Sequence, residues 1–268
     1  MAKNGHFMVR TNTLLSRADS QLLDRVVLEC GQVASTEQLD KIFVQAYARK
    51  DERARRISFL AKAGWLVRIK KGLYLVVTDL SALAAGNVSN FVISNALNSK
   101  SYVSFANALN WYGMFDQLTK SVDAVTSARA RSYRFQNTEF RFFRVKEKLF
   151  FGFAKERADG KIVNIAEREK IILDYLSLRR NAATISTVFE KLKEHKGEFD
   201  FSKMIDYAKS YNLTIQRNLG FLLDRIFVST DALYQIVGKK KTGFSKMHRN
   251  AKAFNAKWRL YYDPGVIN

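Results

Sequence analysis

The chain has 268 residues, 47% of them hydrophobic, with one proline and one cysteine. That supports a packed core in one large domain or two small ones, and excludes a disordered chain, a proline-rich linker protein and an intramolecular disulfide framework. Lys and Arg number 45 against 25 Asp and Glu, a net charge of +20 shared as +6, +7 and +7 over residues 1–80, 81–180 and 181–268, so the excess is no single tail and suits a polyanionic partner through counterion release.

Residues 1–13 read as a short flexible arm. SRADSQLLDRVVLECG (16–31) sets Leu22, Leu23, Val26, Val27 and Cys30 at helical spacing and stops at Gly31. VASTEQLDKIFV (33–44) predicts a second helix, capped at Ser35 or Thr36, with Leu39, Ile42 and Phe43 inward. DERARRISFLAKA (51–63) predicts a third, burying Ile57, Leu60 and Ala61 and closed by Gly64. WLVRI and LYLVV then form a hairpin around KKG, packed through Leu66, Ile69, Leu73 and Leu75. Three helices followed by a hairpin is the order of a winged helix-turn-helix, assigned here to residues 14–80.

Residues 81–99 carry no charge and predict a packed helix near Val88–Leu97, at the boundary of a second domain spanning 81–268. SYVSF (101–105) and VDAVT (122–126) read as strands around a helix in ANALNWYGM. The stretch 132–154 alternates aromatic and basic residues and predicts two or three strands, Phe140 and Phe142 on one face, Arg141 and Phe143 on the other. Core packing with a basic outer face is preferred there over RNA stacking. KIVNIA (161–166) leads into the helix EREKIILDYLSL, and helices follow near 184–195, 201–211, 214–227 and 230–237. The fold class is therefore α+β, an N-terminal winged helix-turn-helix before a larger mixed domain with a helical C-terminal end.

Chemistry-bearing patterns are sparse. His6, His195 and His248 have no metal-ligand spacing, and no phosphate-binding loop or nucleophile elbow is present. No cofactor, metal or catalytic residue is assigned. Glu167, Glu169 and Asp174 offer a metal-dependent nuclease as the rival reading, but they fit an amphipathic helix whose first-turn carboxylates complement its dipole. No apolar run reaches the ~20 residues of a membrane span, and MAKNGHFMVRTNT lacks the apolar stretch of a secretion signal. A cytoplasmic protein without a membrane partner is expected.

The basic residues carry more. A recognition helix meets bases with its N-terminal side chains, here Arg53, Arg55 and Arg56, with Arg49 and Lys50 just before. On a helical wheel Arg55 and Arg56 point away from Ile57 and Leu60, with Arg53 at the flank. Arginine forks suit phosphate and the guanine edge alike. Arg68, Lys70 and Lys71 at the hairpin suit phosphate. A protein-interaction module without DNA contact is the other alternative. Residues 238–259 hold eight Lys and Arg and no acid, interrupted by Phe244, Phe254 and Trp258. Lys239, Lys240, Lys241, Lys246 and Arg249 are candidates for polyanion or partner contact.

Five blocks carry a family likeness: FLAKAGWLVRIKKGLYLV (59–76), YVSFANALNWYGMFDQ (102–117), VDAVTSARAR (122–131), NIAEREKIILDYL (164–176) and RNLGFLLD (217–224). In this order they resemble the AbiEi-type antitoxins of type IV toxin–antitoxin systems, which double as transcriptional repressors. Ile165-Ala166 stands where the family often has Asp-Pro, and the C-terminal KWRLYYDPGVIN matches loosely. The resemblance implies a winged helix that binds inverted repeats in double-stranded promoter DNA. It also implies a C-terminal domain that assists binding and counteracts a nucleotidyltransferase-type toxin. The Gly-Ser and downstream Asp pattern of such a toxin is absent here.

Overall fold

A computed structural model describes residues 15–78, 88–117, 119–238 and 243–267. The expected arm, the expected boundary near residue 80, and Lys239, Lys240 and Lys241 lie outside the described residues. The contacts divide the chain into two compact units, residues 1–99 with 157–163, and 100–156 with 164–268. Both helices and sheets are present in a mixed α+β arrangement.

The first unit begins with α1 (Arg17–Cys30). Ser16 caps it by accepting the Asp19 N–H at 3.2 Å, and Gly31, at φ 80°, ends it. β1 (Val33–Ser35) was not anticipated as a strand. It pairs antiparallel with β3 (Leu73–Val76), so the expected hairpin of β2 (Leu66–Lys70) and β3 becomes a three-stranded sheet of order β1-β3-β2. Between them lie α2 (Thr36–Phe43) and α3 (Lys50–Lys62). Ser35 and Gln38 form a reciprocal capping box on α2, satisfying two backbone donors that a helix start leaves open. Leu22, Leu23, Val26, Leu39, Phe43, Ile57, Leu60, Leu66 and Val76 make one continuous core. The expected packing residues of the hairpin, Leu66, Ile69, Leu73 and Leu75, are all buried. α4 (Asn90–Leu97) also belongs to this unit, where its final carbonyl meets the hairpin: Lys70 Nζ donates to Leu97 O at 2.7 Å.

The second unit is built on β4 (Ser101–Val103), α5 (Phe105–Trp111), β5 (Ser121–Thr126), β6 (Tyr133–Phe135), β7 (Thr138–Arg144) and the parts of β8 (Phe153–Ala158) and β9 (Lys161–Ala166) outside residues 157–163. The strands form one six-stranded mixed sheet of order β6-β7-β5-β4-β9-β8. β5 runs parallel to β7 with Val122 opposite Phe140 and Ala124 opposite Phe142. Phe140 and Phe142 are buried as the alternation requires. The other face of β7 is occupied too. Phe143 meets Phe105 edge-on at 5.1 Å, and Arg141 closes on Asp123 at 2.6 Å.

Five helices follow: α6 (Arg168–Leu178), α7 (Ala182–Glu194), α8 (Phe201–Ala208), α9 (Leu213–Arg225) and α10 (Asp231–Val237). α6 departs from expectation. It is buried nearly all round, because α5, α7, α8 and α9 all pack against it. The basic C-terminal stretch contains a small sheet, β10 (Ser245–Lys246), β11 (Ala253–Asn255) and β12 (Leu260–Tyr262), ordered β10-β12-β11. Trp258, wholly buried, donates through its indole N–H to Asp224 at 2.6 Å and lies against Gly220, where a Cβ would stand 2.2 Å from the ring. That contact explains the Leu-Gly-Phe of the RNLGFLLD block.

Candidate nucleic-acid interface

The site is the outer face of α3 with the adjoining hairpin. Helix periodicity puts Ile57 and Leu60 into the core and leaves Ala54, Arg55, Ser58 and Lys62 on the outside. Between α3 and the hairpin runs an open groove of about 450 Å³, lined by Thr36, Ala54, Ser58, Ala61, Arg68 and Tyr74 among others. On the helix side Ala54, Ser58 and Ala61 alternate with Ile57 and Lys62 along it. Thr36 is held in place because its N–H donates to Gly72 O at 2.9 Å across the hairpin turn. Gly72 takes φ 79°, a conformation few side chains tolerate.

The eight basic residues expected at this site divide in two. Arg49 and Arg55 are extended into solvent, with side chains 74% and 77% exposed. Asp51 pairs with both, at 3.4 and 2.6 Å, through exposed contacts that contribute little and are readily exchanged for phosphate. Lys50, Arg68 and Lys71 are also at the surface or its margin, Lys50, Arg68 and Lys71 all being exposed.

Arg53, Arg56 and Lys70 instead turn inward. Arg53 is buried rather than at the flank of the helix surface. Its Nε and second amino group reach the two Asp40 oxygens at 2.6 and 3.2 Å, and its first donates to Tyr47 O and Ala48 O at 3.1 and 2.7 Å. The planar fork thereby ties α3 to α2 and to the turn between them. The bond to Arg53 holds the Asp40 carboxyl below its ordinary pKa. Arg56 makes a two-pronged pair with Asp19, itself buried in α1, and lies over the Phe59 ring at 4.6 Å. Lys70 reaches the Leu97 carbonyl, and partial burial lowers its pKa. The strand register slips between Arg68 and Lys70, which sends these two side chains to different surroundings. These three residues brace the face that Arg49, Lys50, Arg55, Arg68 and Lys71 present. Lys62 is an exposed cation missing from the expected set; its spacing of seven from Arg55 puts it on the same helical stripe.

Of the carboxylates of the nuclease reading, Glu167 and Glu169 share Lys203, at 3.0 and 3.8 Å, while Asp174 has a separate set of partners. Glu167 accepts from Tyr207 Oη at 2.5 Å and pairs with Lys203 at 3.0 Å; Glu169 accepts the Asp200 N–H at 3.0 Å. Asp174 is fully buried beside Lys170, and accepts from Ser104 Oγ at 2.8 Å. Lys170 Nζ also donates to Tyr102 Oη at 2.7 Å within a ring of Tyr102, Phe151 and Tyr211. Burial pushes the Asp174 pKa up and the Lys170 pKa down, and each partner's charge opposes the other's shift. Among the described residues no group of three His, Cys, Asp or Glu side chains is placed to hold a metal. Nor is any helix there long and apolar enough to cross a membrane. Of the C-terminal candidates, Lys246 and Arg249 are exposed on and beside β10.

No family model and no curated protein matches the chain. Among solved structures, the Rv2827c protein of Mycobacterium tuberculosis superposes with a TM-score of 0.59 over 94% of each chain, at 11% identity. At that identity the likeness is one of fold alone. A candidate nucleotidyltransferase from H. pylori covers 61% of this chain and 85% of its own at 12% identity, with a TM-score of 0.30, too low to carry an argument.

Proposed function

We propose that this chain is a cytoplasmic, non-enzymatic DNA-binding repressor and antitoxin, whose first unit is a winged helix-turn-helix. The observation that carries the reading is the division of labour on α3. Arg53 and Arg56 fasten the helix to α2 and α1, while Arg49, Lys50, Arg55 and Lys62 face outward beside Arg68 and Lys71. In this reading α3 enters the major groove. Ala54 and Ser58 admit close approach, Arg55 reads a base edge, and Arg68 and Lys71 take phosphates from the wing. The protein partners that already occupy Glu167, Glu169 and Asp174 support a structural role for that helix.

The antitoxin part rests on the five motif blocks that resemble AbiEi-type proteins. The partner is then a nucleotidyltransferase-type toxin encoded beside this chain, and the DNA target is an inverted repeat upstream of the pair. A reporter fused to the upstream region tests the repressor part. The wild-type chain represses it, and Arg55→Gln with Arg68→Gln relieves repression at equal protein level. Co-expression with the neighbouring gene tests the antitoxin part: this chain restores growth. A reporter indifferent to the wild-type chain would overturn the first part, and unrelieved growth arrest the second.

A further inference from the structure

The small C-terminal sheet carries an aromatic row that the DNA-binding face does not use. The register sets Lys246 opposite Tyr261 and Tyr261 opposite Phe254, so these three side chains share one face. Phe244 adds a fourth member, its ring 5.1 Å from Tyr261, with Phe254 5.0 Å away on the other side. The reverse face is filled: Leu260 is wholly buried, and Tyr262 lies 4.7 Å from Phe221 of α9. On the row itself Phe244 is 61% exposed and Phe254 49%. Lys246 Nζ stands 5.9 Å from the Tyr261 ring, and Arg249, Lys252 and Arg259 are exposed in the same segment. The segment 238–259 holds eight cations and no carboxylate.

From this juxtaposition we infer that the β10-β12-β11 face binds a single-stranded segment of nucleic acid, stacking about two bases on Phe244, Tyr261 and Phe254 while the surrounding cations meet phosphates. Phe244 meets Tyr261 edge-on at 84° and Phe254 is tilted by 52°, so each exposed ring presents its own apolar face, which a base matches and a phosphate alone does not. Base faces in a duplex are already stacked on their neighbours, so the ligand is unpaired. An acidic protein would answer the charge, but its carboxylates offer the exposed rings no planar apolar face. This site is separate from the α3 face and does not depend on it.

The test uses the full chain with labelled oligo(U) and oligo(dT) of about twenty nucleotides, followed by fluorescence anisotropy. Wild type binds one or both, and the tighter of the two says whether the strand is RNA or DNA. Phe244→Ala and Phe254→Ala each weaken that binding about tenfold or more, as loss of a stacked base does, and leave duplex binding unchanged. Phe254→Trp keeps the affinity, and its indole fluorescence is quenched when the oligonucleotide binds. Three results would overturn the inference: no binding of either strand at physiological salt, alanine variants that bind as wild type does, or displacement of the oligonucleotide by polyglutamate as efficient as by unlabelled strand. The last would show that charge alone, not base stacking, holds the ligand.

Discussion

Lys170 and Asp174 form an ion pair with no solvent access to either side chain, and Lys170→Met separates the structural reading of α6 from the catalytic one. The substitution keeps the volume and removes the only cation beside Asp174 among its described contacts. A carboxylate at a fully buried site then loses its counter-charge, retaining Ser104 and a long contact to Tyr102 at 3.4 Å. Breaking such a pair costs about 3–5 kcal/mol. With a urea m-value of about 2–3 kcal/mol/M, the midpoint should fall by roughly 1–2.5 M. Lys170→Met with Asp174→Leu removes both charges and should recover part of that loss. The remainder is set by the Tyr102 and Ser104 hydroxyls left without their acceptor, about 1–3 kcal/mol each at most. Tryptophan fluorescence follows the transition, since Trp258 is buried in the same unit. A single variant as stable as wild type would refute the reasoning, as would a double variant no more stable than the single.

The same logic gives further expectations. Asp40 has a depressed pKa in the fold, so its pairing with Arg53 stabilises the first unit above the ordinary carboxylate range, near pH 4, and that stabilisation is lost as pH falls through the lowered value. Arg53→Gln should flatten this acid limb of the stability profile in urea titrations; an unchanged limb would count against the pair. Gly220→Ala forces a Cβ into the Trp258 ring and should destabilise by about 1–3 kcal/mol through overpacking, read as a lower midpoint and a shifted tryptophan emission. If Arg68 and Lys71 contact phosphates as proposed, Arg68→Gln with Lys71→Gln removes two such contacts, and the slope of log affinity against log salt should shrink by about 1.8 for any duplex. A loss of sequence preference with an unchanged slope would argue against wing–phosphate contact.

Much of this architecture was legible in local pattern. Gly31, the Ser35 cap and the Ile57/Leu60 stripe marked the first three helices, and the Phe140/Phe142 alternation marked a sheet. Three of the failures share a cause: β1, Arg53 and Arg56 were each decided by a partner distant in sequence. β1 is three residues long and exists because β3 pairs with it. Arg53 lies 13 residues from Asp40, and Arg56 37 from Asp19, so a helical wheel cannot tell a solvent-facing arginine from one that spans two helices. On α6, the charges resembled a polar face because nothing local reveals that Lys170 and Asp174, one turn apart, neutralise one another inside the core. The β10–β12 strands are too short to show periodicity, and basic composition hid them. Lys62, by contrast, was available from helical spacing alone.

The central claim is that the outer face of α3 reads duplex DNA. Its most direct test is anisotropy of the upstream duplex against a scrambled duplex, measured from about 50 to 200 mM salt. Six exposed cations, Arg49, Lys50, Arg55, Lys62, Arg68 and Lys71, lie on α3, at its start and on the hairpin, and Lys62 and Arg68 line the groove. Full engagement of all six predicts a slope near −5 per protomer. The account predicts that wild type prefers the upstream duplex by about a thousandfold or more, and that Arg55→Gln lowers this preference by about tenfold while the protein stays folded. Equal affinity for both duplexes, or a preference untouched by Arg55→Gln, would contradict it.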